Sequence, residues 1–150
     1  MVPCITTLKT ELSDDPLDRG YAAMNSTEAA ASINSVDRSR LRILGSHDLR
    51  EWAVEDGRGL RILEAITDAE LPASVRNVCY IAEKMIASEN TSLNVADPKH
   101  SAMLVALVTA GVLTSAEQTA LVDAATEPIS RATELGLGRV GVGNVEQARI

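Results

Sequence analysis

Three glycines near the end of the chain, Gly136, Gly138 and Gly141, have the spacing G-x-G-x-x-G, with which some proteins wrap the pyrophosphate of a dinucleotide. That chemistry needs a strand before the glycines, a helix after them and an acidic residue about 20 positions on for a ribose. Here a helical pattern precedes them and nine residues follow Gly141, so they read as a helix stop and a turn. His47 and Glu51, with Asp48 close by, could share one face of a helix, but without a distant further ligand a solvated face is expected rather than a metal site. His100, beside Lys99, has no companion. Ser and Thr are plentiful, yet no G-x-S-x-G elbow occurs and only two histidines could serve as a base. The paired acids Asp14 and Asp15, and Glu55 and Asp56, fall in turns beside proline or glycine, where acids bond nearby amides; catalytic pairs need an enclosed setting. We therefore expect no catalytic, cofactor-binding or metal-binding residue. Arg38, Arg40 and Arg42 alternate and would project three guanidiniums from one edge, while Asp37, Asp48 and Glu51 lie close enough in sequence to neutralise them. A surface strip for a protein partner is the expectation there, ahead of a phosphate site.

Composition narrows the partners. The 150 residues carry 21 acids and 14 bases, a net charge of −7, which repels phosphate backbones and anionic lipid. Phe is absent and Tyr21, Tyr80 and Trp52 are the aromatic residues, too few for the stacking platforms that hold single strands. Neither nucleic acid nor a membrane is expected as a partner. Cys4 and Cys79 are far apart and outside any metal-ligand spacing, so no disulfide framework is implied, and Cys79 fits a buried apolar position. The opening segment has no basic stretch followed by an apolar one, which argues against a signal peptide. The longest apolar run, residues 101–113, falls short of the roughly 20 residues that cross a bilayer. Folding in the cytosol is expected.

The elements available to position any site are short and helical. Residues 4–13 read as a helix stopped by Asp14, Asp15 and Pro16, with a turn from Leu17 to Tyr21. A second helix, capped by Asn25 or Ser26 with Glu28 reaching back, runs to about Asn34. The alternation around Arg38 to Ile43 suggests an extended segment. Ser46 should cap a helix with Leu49, Trp52 and Ala53 on one face, and after a glycine-rich turn a second short helix should hold Leu60, Leu63 and Ile66. Pro72 opens a helix with Val75, Val78, Cys79, Ala82, Met85 and Ile86 on one stripe. Asp97 and Pro98 open the next, apolar nearly all round from Ala102 to Val108 and so expected at the centre, with neighbours on several sides. Gly111 should end it, Thr114 and Glu117 should form a capping box, and a further helix should span about Glu127 to Leu135. Arg139 to Val142 could be extended, followed by a last turn capped by Asn144. The sum is a mainly α, single compact domain of short helices over residues 1–150, with one or two extended segments.

Two segments carry a resemblance. The pattern E-L-x-x-D-P-L-x-x-G-Y, here Glu11, Leu12, Asp15, Pro16, Leu17, Gly20 and Tyr21 followed by Ala29, Ala30, Ala31 and Asn34, resembles the opening of a group of small tailed-bacteriophage proteins. The tail, through Ser130, Arg131, Ala132, Glu134, Leu135, Gly136, Val145, Glu146, Ala148 and Arg149, is similar to the ending of the same group. Together they cover about a third of the chain and leave residues 40–125 unmatched. The resemblance implies a non-enzymatic virion or tail-associated structural protein. Such a subunit would dock on capsid, connector or tail proteins in a symmetric oligomeric assembly, pass through the host cytoplasm and reside in the virion. The contacts expected are Arg38, Arg40, Arg42, Tyr21 and Arg149. The other reading is a cytosolic adaptor or regulator that binds a protein during infection and is absent from the particle. The first motif itself can be a fixed corner, with Leu12, Leu17 and Tyr21 pinned to the core and the Tyr hydroxyl reaching outward, or a docking surface.

Overall fold

Local capping decides where most helices begin in the computed structural model, which describes residues 4–150. Met1 to Pro3, where the segment judged not to be a signal peptide begins, lie outside the described residues. The Asn25 carboxamide accepts the amides of Thr27 and Glu28 while Glu28 returns a carboxylate to the Asn25 amide, so Asn25, rather than Ser26, starts helix α2 (Ser26–Asn34). Thr114 and Glu117 make the same reciprocal pair at the start of α7 (Ser115–Ala125). Each such cap is worth about 1 kcal/mol.

The chain is mainly α. Among the described residues α1 (Ile5–Asp14) and α2 are followed by strands β1 (Arg38–Leu41) and β2 (Leu44–Gly45), α3 (Ser46–Val54), α4 (Arg58–Ala65), α5 (Ala73–Ala87), β3 (Ser92–Leu93), α6 (Pro98–Thr109), α7, β4 (Thr126–Ile129), α8 (Arg131–Glu134) and α9 (Val142–Ala148). β2 pairs antiparallel with β3, Leu44 facing Leu93, and β1 pairs with β4.

Within this fold the packing groups the chain into two compact units. Unit 1 joins the described part of residues 1–40 to Pro128–Ile150, and unit 2 is the continuous stretch Leu41–Glu127. In unit 1, α1, α2 and α9 pack around Leu8, Tyr21, Ala29, Ile33, Leu137, Val140 and Val145. In unit 2, helices α3 to α7 enclose Leu44, Trp52, Ile62, Cys79, Leu104, Leu107 and Leu121. The two ends of unit 2 meet, the Arg42 amide donating to the Ala125 carbonyl at 2.7 Å.

Several boundaries and faces differ from the sequence reading. Gly45, not Ser46, is the N-cap of α3, because Asp48 accepts the Gly45 amide from inside the first turn. Pro72 precedes α5 in an extended conformation and is its cap instead of its first residue. α4 buries Arg58, Ile62 and Ala65 and leaves Leu60 and Leu63 half exposed, since Arg58 lies over the Trp52 ring, 5.4 Å from its centre, and turns that face inward. The helix expected over Glu127 to Leu135 is a strand and then a single helical turn: Pro128 lacks an amide and forces Glu127 out of the helical region, and Ser130 caps the turn that starts at Arg131. Asn144 lies inside α9, which begins at Val142 with Gly141 as its cap, so Val142 is helical and not extended.

Candidate functional site

The two segments that carry the resemblance fold together as unit 1. At the corner after α1, Asp15 takes φ 41°, and its carboxylate accepts the amides of Arg19 (2.8 Å), Gly20 (2.7 Å) and Tyr21 (3.3 Å). Desolvation pushes the Asp15 carboxyl up, but these three amides and the Arg19 charge outweigh it and hold the group below the usual carboxylate range. Gly20, at φ 78°, supplies the left-handed residue that brings the chain back. Glu11, buried on α1, receives both arms of Arg131 from across 120 positions, Nε to Oε1 at 2.9 Å and Nη2 to Oε2 at 2.7 Å. Arg131 also holds Glu134, which pairs in turn with Arg38 through two contacts of 3.2 Å. Asn34 bonds Val140 twice, its Nδ2 to the carbonyl at 2.7 Å and its Oδ1 from the amide at 3.0 Å, a side chain standing in for a strand partner. Arg149 donates to the Tyr21 carbonyl at 2.8 Å. Glu11, Asp15, Gly20 and Tyr21 are therefore struts of a corner, whereas Pro16 is exposed and Leu17, expected to be pinned to the core, is only half-buried.

That geometry corrects one expected contact and qualifies three others. Tyr21 is fully buried: its hydroxyl points into unit 1 with no protein partner for its hydrogen bond, and burial pushes its pKa up. A side chain so enclosed offers no outward face to a partner, because the apolar ring fills the space between α1 and the returning chain. Arg38 is tied to Glu134, Arg149 to the Tyr21 carbonyl, and Arg42 to Asp48 through contacts of 2.9 and 3.1 Å. The Arg42 contacts, with the Gly45 amide, depress the Asp48 pKa. Arg40 is exposed and is likewise not without an interaction.

No protein-family model, curated protein or solved structure matches the chain. Function must be read from the surfaces.

Among the described residues no group of three or more His, Cys, Asp or Glu is placed to hold a metal ion. His47 pairs with Glu51 at 3.4 Å on an open face, and His100 accepts the Asn94 amide through Nδ1 at 3.1 Å. Gly136 and Gly138 both take left-handed φ after α8, and Gly141 caps α9, so the glycine spacing belongs to a helix stop, a turn and a helix start. A further polar cluster is internal to unit 2. The Glu117 carbonyl accepts the Trp52 indole N–H at 3.1 Å, and its carboxylate takes the Thr114 amide and Arg61. Desolvation raises the Glu117 pKa, and those partners more than reverse it. These contacts hold the fold of unit 2, and Arg58 Nε, 3.9 Å from the Glu117 carboxylate, is buried there without a hydrogen-bond partner.

On its outer surface unit 2 carries two apolar grooves. The sequence pattern places α6 at the centre with neighbours on several sides, yet the helix buries only the Leu104 and Leu107 face, because α5 and α7 cover one side. Its other side forms an open groove of about 860 Å³ with the residues that lead into α5, lined by Leu71, Pro72, Val75, Ala102, Val105 and Ala106 among others. Val105 is 51% exposed. A second groove of about 500 Å³ lies beside α4, where Val54, Leu60 and Leu63 are exposed next to Arg50 and Glu83. Helical periodicity marks apolar faces but not which of two such faces remains uncovered, so these grooves are not legible in the sequence. Neither brings together a nucleophile and a base; both suit an apolar partner.

Proposed function

We propose that this chain is a non-enzymatic structural protein of a tailed-bacteriophage particle, a small helical subunit that docks on capsid, connector or tail proteins in a symmetric assembly. The observation that carries the docking part is the pair of open apolar grooves on unit 2, on a chain with a net charge of −7. Such faces are surplus to a monomer and gain free energy only when covered, at about 25 cal/mol per Å² of apolar surface removed from water. The phage part rests on the resemblance, and the meeting of its two segments in one unit supports it: the likeness follows a spatial unit interrupted by Leu41–Glu127. Among the described residues no helix is long and apolar enough to cross a membrane.

The test is mass spectrometry of purified, nuclease-treated and salt-washed virions, with copy number scaled to the major capsid protein. A fixed stoichiometry in a multiple of three, five, six or twelve is expected. Abundance in infected cells with absence from particles would overturn the reading and favour the adaptor.

A further inference from the structure

We propose that the exposed face of α6 is a self-pairing surface on which a second copy of this chain lays the same face across a two-fold axis. The inference rests on reading the α6 groove as a docking surface and names its occupant.

Charge is the first argument. In a two-fold contact each residue meets its own counterpart or that of a near neighbour, so a charge in the patch opposes its like. The excess of acid lies mostly within Leu41–Glu127, which makes most of the surface of unit 2 unfit for self-contact. The stretch Ser101–Ala116 holds no Asp, Glu, Lys or Arg, and none of the residues lining the α6 groove is charged. The groove beside α4 includes Arg50 and Glu83, and a further one includes Arg61, Glu64 and Asp68. Of these three grooves the α6 one alone has no charged lining, so two copies can meet there without opposing like charges. Residues adjoining it in the chain carry both signs, Asp68, Glu70 and Asp97 against Arg76 and Lys99, as a mixed polar rim requires.

Shape is the second. Ser101, Ala102 and Ala106 are small and recur at helical spacing, so another helix can approach closely, while Val105 stands up among them as a knob. The same face therefore has both ridge and groove. Pairing α6 antiparallel to its copy would run the contact along about 18 Å of helix and oppose the two helix dipoles.

The experiment is sedimentation-velocity ultracentrifugation of the full chain at concentrations on the order of 100 µM, where a dimer of micromolar Kd is nearly complete. A dimer is expected for the wild type, tightened by added salt because screening relieves acid repulsion. Val105→Glu should weaken it by about 100-fold or more, with a Trp52 melting curve that matches the wild type at concentrations low enough for both to be monomeric. In a Cys4→Ser background, Val105→Cys should form a disulfide-linked dimer on mild oxidation, and Leu63→Cys, in the other groove, should not. A monomeric wild type would overturn the proposal while leaving docking on another protein standing. A dimer indifferent to Val105→Glu, or one that the Leu63→Cys variant cross-links and the Val105→Cys variant does not, would overturn it as well. Absence from virions would defeat the phage reading without touching the dimer.

Discussion

Removing one partner of the Glu11 and Arg131 pair should unfold unit 1 selectively. The pair is bidentate, at 2.9 and 2.7 Å, with side-chain exposures of 2% for Glu11 and 13% for Arg131. At an effective dielectric constant of 20, unit charges about 4 Å apart attract by about 4 kcal/mol, and stripping one member of a buried pair costs about 3–5 kcal/mol because the other charge is left unpaired. Arg131→Met should fall in that range, since it strands a carboxylate on the buried side of α1. Glu11→Leu should cost less, about 2–3 kcal/mol, because Arg131 keeps Glu134 at 3.0 Å. The double replacement by apolar side chains should return to within about 1 kcal/mol of the parent, as neither desolvation cost remains. Urea titrations can resolve the units separately. Trp52 fluorescence reports unit 2, and in a Tyr80→Phe background the near-ultraviolet tyrosine signal of Tyr21 reports unit 1. Strict additivity of the two single changes, or a loss below about 1 kcal/mol for Arg131→Met, would refute the view of the pair as a desolvated strut.

Three further outcomes are expected. Tyr21→Phe should leave the stability of unit 1 unchanged or raise it, since the hydroxyl is buried without a protein partner; a loss above about 1 kcal/mol on the far-ultraviolet circular-dichroism curve would show that the oxygen is bonded. Asp48 and Glu117 are held below the ordinary carboxylate range in the fold, so their contribution is present above about pH 4 and is lost as the pH falls through their lowered values; the Trp52 melting temperature should drop on acidification, and less steeply in Asp48→Asn. Iodoacetamide on the native protein should alkylate Cys4, whose thiol the Thr7 hydroxyl and amide shift downward, and spare Cys79, whose thiol burial shifts upward; equal labelling of the two by peptide mass spectrometry would contradict this.

The parts of the fold readable in the sequence are those set within a few residues. The boxes of Asn25 with Glu28 and Thr114 with Glu117 each close over three positions, and Gly111 ends its helix at φ 76°. Single-residue slips at Gly45 and Pro72 arise because several neighbours satisfy the same cap rule and only the folded turn chooses between them. The α4 face departs from the sequence reading for a different reason: a charged residue, Arg58, is buried through its stem and its ring contact, which apolar periodicity does not weigh. Pro128 is a local signal against a helix through Glu127, and the periodicity of its neighbours masks it. The corner of unit 1 is half legible. Asp15, Pro16 and Gly20 announce a turn, but the bonds of Glu11 to Arg131 and of Asn34 to Val140 span more than a hundred positions, and no spacing rule reaches that far.

Unit 1 is made from two ends of the chain, and this sets a timetable for synthesis. Leu8, Leu12 and Tyr21 leave the ribosome long before Val140 and Val145, the residues of the later segment that share their core. At about 5–20 residues per second, the interval is on the order of 6–30 seconds. All of Leu41–Glu127 emerges within it, so unit 2 can complete its core first and bring its own ends together through Arg42 and Ala125. The apolar side chains of the emerging Leu8 to Ile33 stretch meanwhile wait for Leu137, Val140 and Val145 to complete the core they share.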